Sequence, residues 1–182
     1  MAQIGFATPH DGDDVSLVEG VTQLVNRAFL EAEAAIWRTG ATRTDAAEVR
    51  RTAARGGLVL ARDRGRPVAA AFYDTPEAAL GHFGALSVDP SCSGAGIARS
   101  VVDFLEHHAR ASGCTTMQLE ILLPDPPLTH SLRLLEWYRR RGYREMSHGD
   151  FADMDPSAAA LLLRPSRVVV CVKDLARRPA HS

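Results

Sequence analysis

The sequence predicts a single mixed α/β domain. Three observations carry this. Apolar residues switch repeatedly between helical and strand spacing, in the order β-α-α-β-β-β-α-β-α-β-α-β. No repeat, low-complexity tract or Pro/Gly/Ser linker divides the 182 residues, a length that suits one domain. The composition, 46% apolar and 24% charged, is ordinary for a globular chain, and a core of this size needs no disulfide or metal staple.

Taken in order, Ile4 to Ala7 is a short apolar start that Thr8-Pro9 ends, and Asp11-Gly-Asp-Asp reads as a polar turn able to cap a helix. From Ser16 onward, Leu17, Val21, Leu24, Val25 and Ala28 recur at helical spacing. A second helix starts after Thr44 and stops at Gly56-Gly57. The period then changes. Leu58–Ala61 and Pro67–Tyr73 flank Asp63-Arg-Gly-Arg as a hairpin, and Ala79 to Val88 forms a third strand. Ile97, Val101, Leu105 and Ala109 step by four along a helix that Gly113 ends. Thr115 to Leu123 is a strand stopped by Pro124, Pro126 and Pro127. A helix follows through Leu132, Leu135 and Tyr138 and ends at Gly142. Tyr143 to Ser147 forms a strand, Pro156 to Leu163 a short helix with Pro at its first position, and Arg167 to Lys173 the last strand.

Charge and cysteine content narrow the function. The 21 basic and 22 acidic residues nearly cancel, which argues against a nucleic-acid partner held by bulk charge. No apolar run approaches a membrane span, and the N-terminus lacks a basic and apolar signal pattern. Cys92, Cys114 and Cys171 are odd in number and far apart, as expected of a reducing cytoplasm. The seven histidines show no metal-ligand spacing, so no metal is expected.

The stretch Leu86-Ser-Val-Asp-Pro-Ser-Cys-Ser-Gly-Ala-Gly-Ile-Ala-Arg-Ser carries the chemistry. A strand runs into Asp89-Pro90, where Pro bars the ladder. A loop with Gly94 and Gly96 follows, and an amphipathic helix starts at once. Glycines turn tightly and admit a ligand close to the backbone. The loop amides and the helix N-terminus offer unpaired donors and a positive dipole end, an anion site that suits a pyrophosphate. The same glycines also serve a turn that merely joins strand to helix.

Val88-Asp-Pro-x-x-x-Gly-x-Gly-x-Ala with its following helix resembles the acyl-CoA signature of the GNAT N-acetyltransferase superfamily. Leu119-Glu120-Ile121 is similar to the family's next strand. Leu134-Leu-Glu-Trp-Tyr-Arg-Arg-Arg-Gly-Tyr143 is similar to its later helix-to-strand segment. The resemblance covers nearly the whole chain. It implies one domain, 1–182, with a central mixed, mostly antiparallel twisted sheet and helices on both faces. Within it, 1–88 would hold the N-terminal strands and acceptor-side helices, 89–112 the pyrophosphate loop and its helix, and 113–175 the C-terminal half. It implies acetyl-CoA as co-substrate and direct transfer to a primary amine of a small molecule or peptide. The amides of Ser93, Gly94, Ala95, Gly96, Ile97 and Ala98 would hold the pyrophosphate. Leu86 and Val88 would present backbone to the pantetheine arm from a splayed strand, and Tyr138 would protonate the leaving thiolate. Two positions depart from the pattern. Ser93 stands where Arg or Gln is usual, which bears on the tightness of coenzyme binding. Ser131 stands where Asn is frequent, seven residues before Tyr138 and on its helix face, where the resemblance implies that it would keep a weaker polar contact to pantetheine. Similar proteins are often homodimers.

An alkyl amine is protonated at neutral pH, so the reaction needs a base. Glu120 is the first candidate and equally reads as a salt-bridged strand carboxylate; His82 and His130 are weaker ones. Trp37, Tyr73 and Phe83 read as acceptor-pocket or core aromatics, and Glu31, Glu33 and Asp74 as cation-attracting or merely solvated acids. Cys92 reads as a nucleophile or, more simply, an incidental thiol, and Arg139, Arg140, Arg141 and Arg144 as a contact to the coenzyme's 3′-phosphate or an acidic partner or, more simply, a solvated helix end. Two other functions compete. A non-catalytic acyl-CoA sensor fits the replacements at Ser93 and Ser131. A dinucleotide-binding oxidoreductase fits Gly94-x-Gly96, although Arg99 occupies the third position of that fingerprint.

Overall fold

The computed structural model describes residues 2–176. Residues 177–182, counted above within the single domain, lie outside the described residues. Seven strands form one sheet: β1 (Gln3–Phe6), β2 (Leu58–Asp63), β3 (Arg66–Glu77), β4 (Leu80–Val88), β5 (Thr116–Pro124), β6 (Arg144–Asp150) and β7 (Ser166–Asp174). Their order across the sheet is β1-β2-β3-β4-β5-β7-β6. Every neighbouring pair is antiparallel except β4 and β5, so the sheet is mixed and mostly antiparallel as expected.

Side-chain alternation decides which helix covers which face. Val59, Ala61, Ala69, Ala71, Tyr73, Phe83, Met117, Leu119 and Ile121 point to one side. There they bury against α4 (Ile97–Ala111) through Val101, Val102 and Leu105, and against α5 (Thr129–Arg140) through Leu135 and Tyr138. Leu58, Leu60, Ala70 and Phe72 point the other way, onto α2 (Val15–Glu33) and α3 (Ala46–Ala54). Helices therefore lie on both faces. The helix ends follow the sequence signals: Asp14 caps α2 by accepting from the Leu17 amide, Asp45 caps α3 from Glu48, and Gly56, Gly113 and Gly142 take positive φ just past α3, α4 and α5.

Four local expectations change. Asp11 to Asp13 belongs to a short helix, α1 (Pro9–Asp13), because Thr8 and Asp11 close a reciprocal capping box. Pro90–Cys92 forms a 3₁₀ turn capped by Asp89. An unforeseen turn, α6 (Phe151–Met154), precedes α7, which is only Pro156–Ala159. The chain then extends so that Leu162 bridges to Trp37, and this long-range pairing stops the helix. β3 also runs past Tyr73 to Glu77, because β4 pairs with it as far as Leu80.

Glu106 of α4 anchors the α4–α5 face. It is 4% exposed, accepts from Lys173 Nζ at 2.6 Å and from the Tyr143 hydroxyl at 3.1 Å, and has Arg110 and Arg141 within 3.8 Å. A buried ion pair adds little net stability, but removing one partner strands the other. Glu106→Ala is expected to cost about 3 kcal/mol, read as a lower urea midpoint at unchanged slope. A midpoint within error of wild type would show that solvent replaces the carboxylate.

Candidate active site

The sheet opens in its middle. β4 and β5 pair only at Leu80↔Thr116, Gly81↔Met117 and His82↔Gln118. Beyond His82 the two strands separate, although β4 stays paired with β3 up to Val88 and β5 with β7 up to Pro124. A bulge helps to part them. The β3–β4 register shifts between Ala70 and Phe72, and Ala85 takes φ +51 there. The edges of Phe83–Val88 and Leu119–Pro124 thus face each other without a ladder. Leu86 and Val88 lie on this open edge, half-buried against the α4–α5 core.

The glycine loop closes one end of the seam. Asp89 shapes it: its carboxylate accepts from the Ser91 amide at 3.0 Å and the Ser91 hydroxyl at 2.7 Å, and meets Arg27 at 3.2 Å and Arg66 at 3.5 Å. The Ser91 hydrogen bonds, ahead of the arginines, hold its carboxyl below the usual range. Gly94 and Gly96 take φ +78 and +76, and nothing lies within 4 Å of a Cβ placed on either. Their requirement is conformational, and the space above them is open. The amides of Ser93 and Ala95 donate to Pro90 and Cys92, so they are already engaged. The Gly94 and Gly96 amides have no protein acceptor among the described residues. Ile97 and Ala98 begin α4, which has no side-chain cap, and first-turn amides have no partner within their own helix. Of the six amides expected from the sequence, these four are without a protein acceptor among the described residues.

Tyr138 stands on one face of the seam. It is 4% exposed, and its ring lies 6.2 Å from Phe83, the first β4 residue after the last β4–β5 pair, and 5.3 Å from Tyr143. Its hydroxyl has no hydrogen-bond partner among the described residues, yet it is not among the side-chain atoms sealed from solvent. Burial pushes the phenol well above its ordinary value, so it stays protonated. Ser131, 3% exposed, shares its helix face.

The opposite face carries a charged cluster. His82 on β4 bonds Glu120 of β5 through Nε2 at 2.7 Å and Asp74 of β3 through Nδ1 at 2.9 Å. Gln118 donates to the other Glu120 oxygen at 2.7 Å. The Glu120 hydrogen bond, followed by the charges and contacts of both carboxylates, raises the His82 imidazole above its usual range against the opposing effect of burial. Burial pushes Glu120 up, but its hydrogen bonds to His82 and Gln118 outweigh this and leave it lowered. Glu120 is thus a strand carboxylate paired with His82 and Gln118, as its salt-bridged reading expected.

The remaining candidates separate. Phe83 and Tyr73 are core, on the α4–α5 face. Trp37 is half-buried between Phe29 and Phe151 and donates to Glu33 at 2.7 Å. Glu31 and His130 are exposed. Cys92 is half-buried, and the nearest partner of its thiol is the Ser91 hydroxyl at 3.8 Å. Arg139, Arg140 and Arg141 pair with Glu136, Glu145 and Asp103, so they form no free basic patch. Two residues were not legible beforehand: Gln118, which Glu120's place on its strand hints at, and Arg43 in the α2–α3 connection, which carries no local signal. Among the described residues, no group of three or more His, Cys, Asp or Glu side chains is placed to hold a metal ion.

Known proteins share this architecture. The structure is similar to an aminoglycoside 6′-N-acetyltransferase complexed with coenzyme A (15% identity, 97% of this chain and 99% of that one, TM-score 0.72). It is similar to yncA of Salmonella typhimurium, solved with its cofactor acetyl-CoA (15%, 100% and 98%, TM-score 0.67). It is also similar to the ribosomal-protein-S18-alanine N-acetyltransferase of Escherichia coli (12%, 100% and 99%, TM-score 0.64). At such identities the likeness is one of fold. No curated protein sequence matches the chain. The sequence profile of the acetyltransferase (GNAT) family matches residues 21–143, more than half of the chain, and takes in the seam, the glycine loop and α5. The chain belongs to the GNAT acetyltransferase family.

Proposed function

We propose that the protein is an N-acetyltransferase that moves an acetyl group from acetyl-CoA to a primary amine of a small molecule or peptide by direct attack. The observation that carries the reading is the open seam, with Tyr138 on one face and the His82–Glu120 pair on the other. Acetyl-CoA, the acyl donor of this family, supplies an activated thioester. The residues fit it: unengaged amides at Gly94, Gly96, Ile97 and Ala98 suit a pyrophosphate, and the free edge from Leu86 to Val88 suits an amide-bearing arm. Ser93 contributes through loop geometry, its amide being engaged, and Ala95 likewise. Ser131 offers a hydroxyl beside Tyr138.

Tyr138 holds its proton at the phenol oxygen and donates it to a developing thiolate. The His82–Glu120 pair receives the proton that an ammonium must lose before it attacks, and Asp74 orients the imidazole. A strand amide near Val88 supports charge on the carbonyl oxygen. The sensor reading leaves the Tyr138 hydroxyl without a task. The dinucleotide reading finds a parallel β4–α4–β5 unit but no second one, since the other strand pairs are antiparallel. No helix among the described residues is long and apolar enough to cross a membrane, and the cysteines Cys92, Cys114 and Cys171 are free. Both suit the cytoplasm as the place of work.

Tyr138→Phe is expected to lower kcat by about 10²-fold or more while acetyl-CoA affinity stays within about twofold, measured by thiol release and calorimetry. Unchanged turnover would remove Tyr138 from the chemistry. Gly96→Val forces a β-branched residue to φ +76 and fills the space above the loop. Loss of the acetyl-CoA melting shift is expected, and a retained shift would place the diphosphate elsewhere. The imidazole must be neutral to take a proton, and its carboxylate neighbours raise it above 6.5. The acid limb of kcat/KM should therefore have its midpoint above that value, with activity rising as pH rises through it. Asp74→Asn should lower the midpoint, and a midpoint that does not move would detach Asp74 and His82 from the base.

A further inference from the structure

We propose that the acceptor is an amino-carboxylate, with its ammonium toward the His82–Glu120 pair and its carboxylate held by Arg43. The inference rests on the acetyltransferase reading and adds the substrate class.

The backbone that carries Arg43 is held by a built support. Asn26 of α2 clamps the α2–α3 connection, accepting from the Arg43 amide at 2.8 Å and the Thr44 amide at 3.1 Å and donating to the Thr44 carbonyl at 2.9 Å. Thr44 is 5% exposed and donates from its hydroxyl to Glu48 of α3 at 2.7 Å. The connection is thus tied to two helices. From it the guanidinium reaches over β4, with Nη2 3.8 Å from the position a Cβ on Gly84 would take. A glycine there leaves the strand bare beneath the cation. Gly84 is two residues past His82, at the point where β4 has just left β5. Among the described residues no carboxylate lies within 4.0 Å of the guanidinium and none accepts a hydrogen bond from it. Glu33, the acid that feels its charge, is spent elsewhere: burial raises its carboxyl, which accepts from Trp37.

The two ends of this stretch of β4 carry opposite charge. Asp74 and Glu120 share one imidazole, so their cluster stays negative even with His82 protonated. Arg43 is positive, and His82 and Gly84 lie about 6–7 Å apart along one strand face. A zwitterion whose charges are one or two carbons apart, with a hydrogen bond of about 2.8 Å at each end, spans that separation. A polyamine would set a second cation against Arg43, and a neutral amine would gain nothing from the guanidinium.

The test is thiol release from acetyl-CoA with free amino acids, each beside its carboxamide and its decarboxylated amine. At least one acid should exceed both analogues in kcat/KM by about ten- to hundredfold. Arg43→Gln should abolish that preference chiefly through KM, Arg43→Lys should keep part of it, and the acetyl-CoA melting shift should be the same in all three proteins. Equal rates for acid and amide, a preference that survives Arg43→Gln, or acetylation confined to amines without a carboxylate would overturn the assignment. Absence of an acetyl-CoA melting shift in the wild-type protein would strike the acetyltransferase reading beneath it.

Discussion

The arrangement depends on where one ladder stops. Two parallel strands in the middle of a sheet normally pair along their length, because unpaired backbone groups away from water are costly. Here β4 and β5 pair over three positions and then part. Each keeps its outer partner, so the sheet holds together while two inner edges face each other unladdered. The bulge at Ala85 bends β4 away, and Pro90 ends it where the glycine loop begins. An extended, amide-bearing molecule satisfies such edges as a strand would, and the uncapped start of α4 waits at the end of the same opening.

The opening also separates two kinds of chemistry. Successive strand residues point to opposite faces, so Phe83 brings Tyr138 into the apolar α4–α5 side while its neighbour His82 faces the acids of β3 and β5. Burial on the first side keeps a phenol protonated. Paired carboxylates on the second favour the charged form of an imidazole. The phenol and the imidazole are thus held on opposite faces of one sheet, with the seam between them.

Charge of opposite sign stands at the two ends of one stretch of β4. Gly84 contributes by having no side chain, which lets a guanidinium from the α2–α3 connection reach the strand. Arg27 and Arg66 meet Asp89 at the loop, and Arg139, Arg140 and Arg141 meet acids around α5. Arg43 has no carboxylate within 4.0 Å among the described residues, and its amide donates to Asn26.

The sequence by itself determined the alternation of helix and strand and most helix ends, because apolar spacing, Asp14, Asp45 and the glycines at 56, 113 and 142 act within a few residues. It also marked the glycine loop and α5, since Gly94, Gly96 and Tyr138 stand in local motifs. Tertiary structure decided the rest. The stop of α7 at the Leu162–Trp37 bridge and the parting of β4 from β5 arise from pairings no local pattern announces. Glu120 read equally as base or ion-pair partner because its partner His82, itself bonded to Asp74, comes from another strand. Arg43 was invisible because an exposed arginine in a connection acquires meaning only when distant segments place bare backbone beneath it. Short-range forces leave their signature in neighbouring residues, whereas electrostatics acts through space and is known only once the chain has closed.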